Sequence, residues 1–118
     1  MGEIGKAKVE STTIKSMNRA GGKGEVQITY LLPQNQPTEN CRMFSCVTIP
    51  KGASLGVHFH KGDTETYHIL QGKGLYTDND KTYEVGAGDT TFCADGDCHG
   101  IESIGDEDLK FIALIIKS

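Results

Sequence analysis

The chain has 118 residues, of which 36% are apolar and 24% charged, and its formal net charge is −4. This length and composition predict one folded domain. The acidic balance and scattered basic residues argue against a nucleic-acid partner, because phosphate binding needs clustered lysine and arginine. No apolar run approaches the roughly 18 residues of a membrane-spanning helix, so no membrane partner is expected.

The first 24 residues give the least clear pattern. Their start, MGEIGKAKVESTTIKS, is charged and has no apolar signal core, which predicts a cytoplasmic protein. The segment fits a strand with a loose arm, and the sequence SMNRAGGKG is typical of a flexible link.

Strand patterns dominate the rest of the chain, with glycine, asparagine or aspartate between them. They lie at residues 25–32, 42–50, 65–70, 74–85, 90–93 and 109–116. Within 74–85, Asp78-Asn79-Asp80 supplies the turn of a hairpin. The last segment is apolar at successive positions, as in a strand buried on both sides or an inner strand of a sandwich. Short strands about every ten residues predict an all-β sandwich or barrel.

The four cysteines form two pairs, Cys41 with Cys46 and Cys93 with Cys98, each separated by four residues. In the cytoplasm such cysteines stay reduced. Zinc ribbons and knuckles use a tighter spacing, so small core residues are favoured over a structural zinc site.

Three of the four histidines lie in one stretch, GVHFHKGDTETYHIL. His58 and His60 are two residues apart, so on a strand they share one face. A glycine-containing turn follows, and Glu65 opens the next strand with its carboxylate directed back toward the same point. His68 has the opposite parity to Glu65 on that strand, which predicts that it is not a ligand.

A third imidazole can come from His99, near the end of GAGDTTFCADGDCHG, if the sheet folds back. Three neutral imidazoles and one carboxylate suit one divalent transition metal per chain: Fe, Mn, Ni, Co, Cu or Zn. They do not suit Ca or Mg, which prefer oxygen donors. Four protein ligands leave up to two positions open, as in catalytic or ligand-binding sites. A His-x-His pair alone is more often simply solvent-exposed, so this prediction depends on the surrounding spacing.

That spacing resembles the first cupin motif at every defined position. The sequence has Gly52, five residues, His58, one residue, His60, four residues, Glu65, six residues and Gly72.

The second cupin motif is matched less completely. Gly88, Gly96 and His99 occupy its defined positions, whereas Ala94 replaces its proline and Ser103 its asparagine. The departures leave the ligand positions unchanged and affect only the turn before His99 and one contact after it.

The resemblance implies a single-domain, all-β double-stranded β-helix, the cupin or jelly-roll barrel, with a metal inside it. His58, His60, Glu65 and His99 would be the ligands. Tyr67 shares the face of Glu65 and could donate a hydrogen bond to a substrate as a catalytic residue, although a core aromatic is the commoner role for such a residue. The barrel has room for one small ligand.

Residues 25–118 are assigned to this barrel, and residues 1–24 to an N-terminal arm or strand available for dimerisation. A homodimer is expected, because single-domain cupins usually pair and because exposed edge strands need a cover.

Three classes of function fit the resemblance. A metal-dependent enzyme, such as a dioxygenase, decarboxylase, lyase or isomerase, would act on a small carboxylate, sugar or enolisable substrate. A non-catalytic module would bind a small sugar or metabolite at the metal. A structural scaffold is disfavoured because storage cupins tend to lose the ligands. The enzyme is preferred over the binding module, but the fold alone does not decide between them.

Overall fold

The computed structural model describes residues 8–33 and 39–118, so residues 1–7 of the assigned N-terminal arm lie outside the described residues. The described residues form ten strands and one short 3-10 turn, Arg19–Gly21. The strands are β1 Thr12–Met17, β2 Glu25–Tyr30, β3 Cys41–Ile49, β4 Ser54–Phe59, β5 Asp63–Gln71, β6 Lys73–Asp78, β7 Lys81–Gly86, β8 Thr90–Cys93, β9 Cys98–Ser103 and β10 Leu109–Lys117.

Two antiparallel sheets make up the described fold. One has six strands in the order β1-β2-β3-β10-β5-β8, and the other has four in the order β4-β9-β6-β7. From β3 to β6 the chain changes sheet at every strand, and it does so again from β7 to β10. This alternation joins the sheets at their ends and leaves a core between them, as in a jelly roll. The all-β prediction is confirmed.

The core is built mainly by alternation along β2, β3, β5, β8 and β10. In these strands every second side chain over most of the length faces inward and is buried, because successive residues of a strand point to opposite faces. The buried apolar side chains are Val26, Ile28, Val47, Ile49, Ala53, Leu55, Tyr67, Ile69, Tyr76, Val85, Ile101, Leu109, Phe111 and Ala113.

β10 resolves one alternative left open by the sequence. It pairs with β3 on one side and β5 on the other, so it is an inner strand of the larger sheet. Leu109, Phe111 and Ala113 are fully buried, whereas Lys110 and Ile112 on the outer face are half-buried. The strand is therefore the inner strand of a sandwich and is not buried on both faces.

The hairpin and the N-terminal link are both ordered. β6 and β7 pair up to Asp78 and Lys81, and Asn79 makes the turn with a positive φ of 55°. The link predicted to be flexible forms the 3-10 turn, which packs on β4. Among the described residues, no helix is long and apolar enough to cross a membrane.

Candidate metal centre

Three strands of the two sheets bring four titratable side chains together. His58 is on β4, His60 lies one residue beyond its end, Glu65 is on β5 and His99 is on β9. β4 and β9 are paired with His58 directly opposite His99, which places residues 41 positions apart in the chain side by side. One ligand atom from each of the four side chains lies within 4.8 Å of the others.

The Nε2 atoms and the carboxylate point at one another. Glu65 Oε1 lies 2.8 Å from His99 Nε2, 3.0 Å from His60 Nε2 and 3.7 Å from His58 Nε2. The Nε2 atoms of His60 and His99 are 3.1 Å apart. Acceptor atoms this close together repel one another unless a positive charge lies among them, and that charge can be a proton or a metal ion.

The other ring nitrogens of His58 and His60 determine which tautomer is present. His58 Nδ1 is 2.8 Å from the Gly56 carbonyl oxygen, and His60 Nδ1 is 2.7 Å from Asp63 Oδ1. Both partners are acceptors, so each Nδ1 carries the proton and each Nε2 keeps a lone pair. Arg42 Nε lies 3.4 Å from the other oxygen of Asp63 and balances its charge. Metal-bound histidines are oriented in this way.

His99 is held by aromatic residues. Tyr76 Oη is 2.8 Å from His99 Nδ1, and with Nδ1 as the donor the Nε2 lone pair again faces the cluster. The ring of Tyr67 stacks on the imidazole at 4.7 Å and 22°, and Phe111 packs behind Tyr67 at 4.3 Å. Only 1% of His99 is exposed, so its orientation is fixed by packing as well as by the hydrogen bond.

The ionisation of the cluster follows from burial and hydrogen bonding. Burial opposes the charge on Glu65, but hydrogen bonds with His58, His60 and His99, which need a proton on Nε2 when no metal ion is bound, outweigh it and hold the pKa of Glu65 well below its usual range. The hydrogen bond to Glu65 raises the pKa of His60, whereas burial lowers the pKa of His99. A carboxylate that stays charged beside imidazoles with free lone pairs fits a transition-metal ion, so the residues present can hold one.

A small cavity of about 200 Å³ opens beside the cluster. His58, His60 and Glu65 line it, while His99 lies behind them. The remaining wall is mostly apolar and consists of Arg19, Ala20, Ile28, Met43, Val47, Leu55, Tyr67, Ala113 and Ile115. Pockets for drug-sized ligands measure roughly 300–1,000 Å³, so this one suits a smaller molecule.

The remaining sequence candidates occupy different places. Tyr67 lines the cavity, but burial and then the charge of Glu65 raise its pKa well above the usual value. His68 is on the outer face of β5, where its Nδ1 lies 2.9 Å from Thr90 Oγ1, and it is outside the cluster as strand parity predicts. None of the four cysteines joins the cluster. Burial raises the pKa of Cys93 to about 11, which makes this thiol unreactive.

Sequence reasoning missed the side chains that support the cluster. Asp63 has the same strand parity as Glu65, so the sequence could have predicted that its side chain points inward. Its residue type suggested only a turn. Tyr76 contacts His99 because β6 pairs with β9, and a single sequence gives no such register. Arg19 and Arg42 precede both motifs in the chain, and no local sequence pattern indicates that they lie near the cluster.

Three comparisons with known proteins agree with this structure. The family model described as the cupin domain matches residues 45–115. The chain is 41% identical over 107 residues to the oxalate-binding protein of Thermotoga maritima, covering 91% of this chain and 88% of that protein.

Solved structures show the same fold. A predicted oxalate decarboxylase from Thermotoga maritima superposes with a TM-score of 0.88 and 40% identity, over 92% of this chain and 95% of that one. A cupin domain from Schizosaccharomyces pombe gives a TM-score of 0.72 at 22% identity, over 79% and 61% of the two chains, which supports the fold alone. Since the matched family model covers more than half of the chain, and the predicted double-stranded β-helix is confirmed, the chain belongs to the cupin family.

Proposed function

We propose that the chain binds one divalent transition metal through His58, His60, Glu65 and His99, and a small carboxylate beside it. The convergence of three imidazole lone pairs and one charged carboxylate at a small cavity carries this proposal. A bound divalent ion would supply a Lewis acid able to hold a carboxylate oxygen. The protein contributes the fixed donor set and a mostly apolar cavity with little room for water.

The donor set leaves the identity of the metal open among Fe, Mn, Ni, Co, Cu and Zn. Imidazole nitrogen disfavours Ca and Mg, whose ligands are oxygen atoms. We propose one ion per chain, because the described residues contain a single cluster of this kind.

Oxalate is the carboxylate we propose. The relative from Thermotoga maritima that is named an oxalate-binding protein is 41% identical to this chain over 107 residues. The cavity is small, which suits a two-carbon acid better than a sugar. Arg19 adds a positive charge to the wall, which favours an anion over a neutral ligand.

The chemistry of the cavity favours binding over catalysis. Decarboxylation of oxalate breaks the carbon–carbon bond, releases carbon dioxide and needs a proton at the remaining carbon. Among the described residues that line the cavity, Tyr67 is the one uncharged proton donor outside the cluster. Because its pKa is raised well above the usual value, it is a weak acid at neutral pH and a poor general acid.

A decarboxylase is the second candidate, since Tyr67 lines the cavity and its hydroxyl carries a proton, and since a structural relative is described as a predicted oxalate decarboxylase. One experiment separates the two. Oxalate is titrated calorimetrically into the manganese-loaded and metal-free proteins, and the same samples are assayed for formate with and without dioxygen. Metal-dependent binding without formate supports the binding module, and formate release supports the enzyme. Absence of metal-dependent binding and of formate would contradict both.

We also propose a homodimer. β1 is at the edge of the six-stranded sheet, where one side of its backbone is unpaired among the described residues. Met17, the last residue of β1, and Val9, three residues before the strand begins, are exposed apolar residues. Edge strands of this kind are usually covered. Light scattering over a range of concentrations tests this, and a monomer throughout would contradict it.

A further inference from the structure

The lining of the cavity outside the cluster includes Arg19, which comes from the turn between β1 and β2. Nothing in the metal-binding motif accounts for an arginine here. Arg19 is half-buried, and the hydrogen bond that its guanidinium donates to Ser16 Oγ is long, at 3.5 Å. Among the described residues, no carboxylate forms an ion pair with it. A guanidinium that has no carboxylate partner among the described residues and lies beside a small cavity is a candidate for recognising an anion.

The turn that carries Arg19 has an unusual backbone. Asn18 and Ala20, the residues on either side, have positive φ values of 52° and 54°. Such values are uncommon for residues with a Cβ atom and persist only where neighbouring contacts enforce them. Asn18 stabilises the turn twice: its N–H donates to the Gly24 carbonyl at 2.9 Å, and its Oδ1 accepts from the Gly24 N–H at 3.1 Å.

The segment that carries Arg19 is hydrogen-bonded to β4, which is also the strand that carries His58. The Ser54 N–H donates to the Lys23 carbonyl at 2.9 Å, and the Lys23 N–H donates to Ser54 Oγ at 3.0 Å. Gly22 and Gly56 permit the approach, because a Cβ on Gly22 would overlap the Ser54 carbonyl oxygen and a Cβ on Gly56 that of Ala20.

Gly56 links the two sides of the cavity. Its Cα touches the turn, and its carbonyl oxygen accepts the hydrogen bond from His58 Nδ1. The distance between the arginine-bearing turn and the metal-facing imidazole is therefore set by backbone contacts on one short strand. A fixed distance between two anchors favours ligands with two charged groups at a matching separation.

We propose that Arg19 is the second anchor of the ligand and selects dicarboxylates over monocarboxylates. One carboxylate is held at the ion, and the guanidinium forms paired hydrogen bonds with the other. This inference rests on the proposed function and adds to it the residue that distinguishes oxalate from acetate or formate.

The test is calorimetric titration of the manganese-loaded protein with oxalate and, separately, with acetate. The variants are Arg19→Gln, Arg19→Lys and the control Lys23→Gln, which removes an exposed charge from the same turn. We expect Arg19→Gln to weaken oxalate binding by about 10–100-fold, the usual range for charged hydrogen bonds, and acetate binding by less than about threefold. Arg19→Lys should recover only part of the loss because an ammonium cannot pair bidentately. Lys23→Gln should bind oxalate as the unsubstituted protein does.

Each other result overturns the inference in an identifiable way. If the unsubstituted protein holds manganese but does not bind oxalate, the proposed function and the inference both fail. If it binds oxalate and Arg19→Gln binds it equally well, the inference alone fails. Equal loss of oxalate and acetate in both Arg19 variants would show that Arg19 supports the cavity without reading the second carboxylate. Circular dichroism and manganese content of each variant establish that it is folded and loaded.

Discussion

The two walls of the cavity are built by different means. The metal-facing wall, which carries His58, His60, Glu65 and His99, is positioned by hydrogen bonds between side chains. Asp63 orients His60 at 2.7 Å, and Tyr76 orients His99 at 2.8 Å. The other wall, called the opposite wall below, is the turn that carries Arg19, and it is positioned mainly through the backbone. Hydrogen bonds to Ser54 and close contacts at Gly56 hold this turn on β4.

This difference predicts how each wall responds to substitution. Removing a side chain on the metal-facing wall changes the affinity for the ion and leaves the fold largely in place. Adding even one methyl group on the opposite wall moves the turn and changes the stability and the ligand preference, because closely packed backbone has no room to adjust.

The largest effect is expected from removing a ligand on the metal-facing wall. His99→Ala should lower metal affinity by more than about 100-fold, because even residues that only orient ligands contribute about 10–100-fold. His68→Ala is the control, since His68 lies on the outer face of β5. Elemental analysis after dialysis against a weak chelator measures the occupancy. If His68→Ala lost the metal and His99→Ala kept it, the proposed ligand set would be wrong.

Metal occupancy should also depend strongly on pH. Protons and metal compete for the imidazole lone pairs, so metal affinity falls as pH drops toward and below about 6.5. The raised pKa of His60 means that it takes a proton at higher pH than His99, whose pKa is lowered by burial. Glu65 stays charged throughout because its pKa is held well below its usual range. Titrated occupancy that stays constant down to roughly pH 4 would contradict imidazole ligation.

The sequence was informative about the metal-facing wall because its residues lie within two short motifs. Strand parity placed His58, Glu65 and Tyr67 inward and His68 outward, and parity needs no knowledge of distant contacts. The opposite wall was not predictable. SMNRAGGKG has the composition of a flexible link, and its glycines acquire their role only when β4 lies against them. The partner of His99 was missed for the same reason, since it depends on the register of β6 with β9.

A smaller effect is expected from the residue that orients His60. Asp63→Asn keeps the shape of the side chain but weakens the hydrogen bond to His60 Nδ1 and removes the partner of Arg42. Metal affinity should fall by about 10–100-fold. Asp106→Asn is the matched control, because Asp106 also forms an ion pair, with Lys51, but is fully exposed and outside the cluster. Equal affinities of the two variants would show that Asp63 does not tune the site.

Gly56→Ala is expected to change metal affinity least. It should change the stability of the opposite wall most clearly. The added methyl would overlap the Ala20 carbonyl oxygen, so the turn must move away from β4. Overpacking of this kind lowers the free energy of unfolding by about 1–3 kcal/mol. Gly86→Ala is the control, since a Cβ there meets only an ordinary contact at 3.8 Å. Denaturant unfolding of the metal-free variants measures the difference.

The same pair of variants separates the two walls in ligand binding. In manganese-loaded Gly56→Ala, the displaced turn should weaken oxalate binding while metal content remains close to that of Gly86→Ala, because the Gly56 carbonyl can still accept from His58 Nδ1. Loss of oxalate binding with retained metal would show that the turn contributes to oxalate binding independently of the metal ligands. Loss of the metal as well would mean that the substitution also displaces His58 on β4. The positions of the two walls would then depend on each other through Gly56.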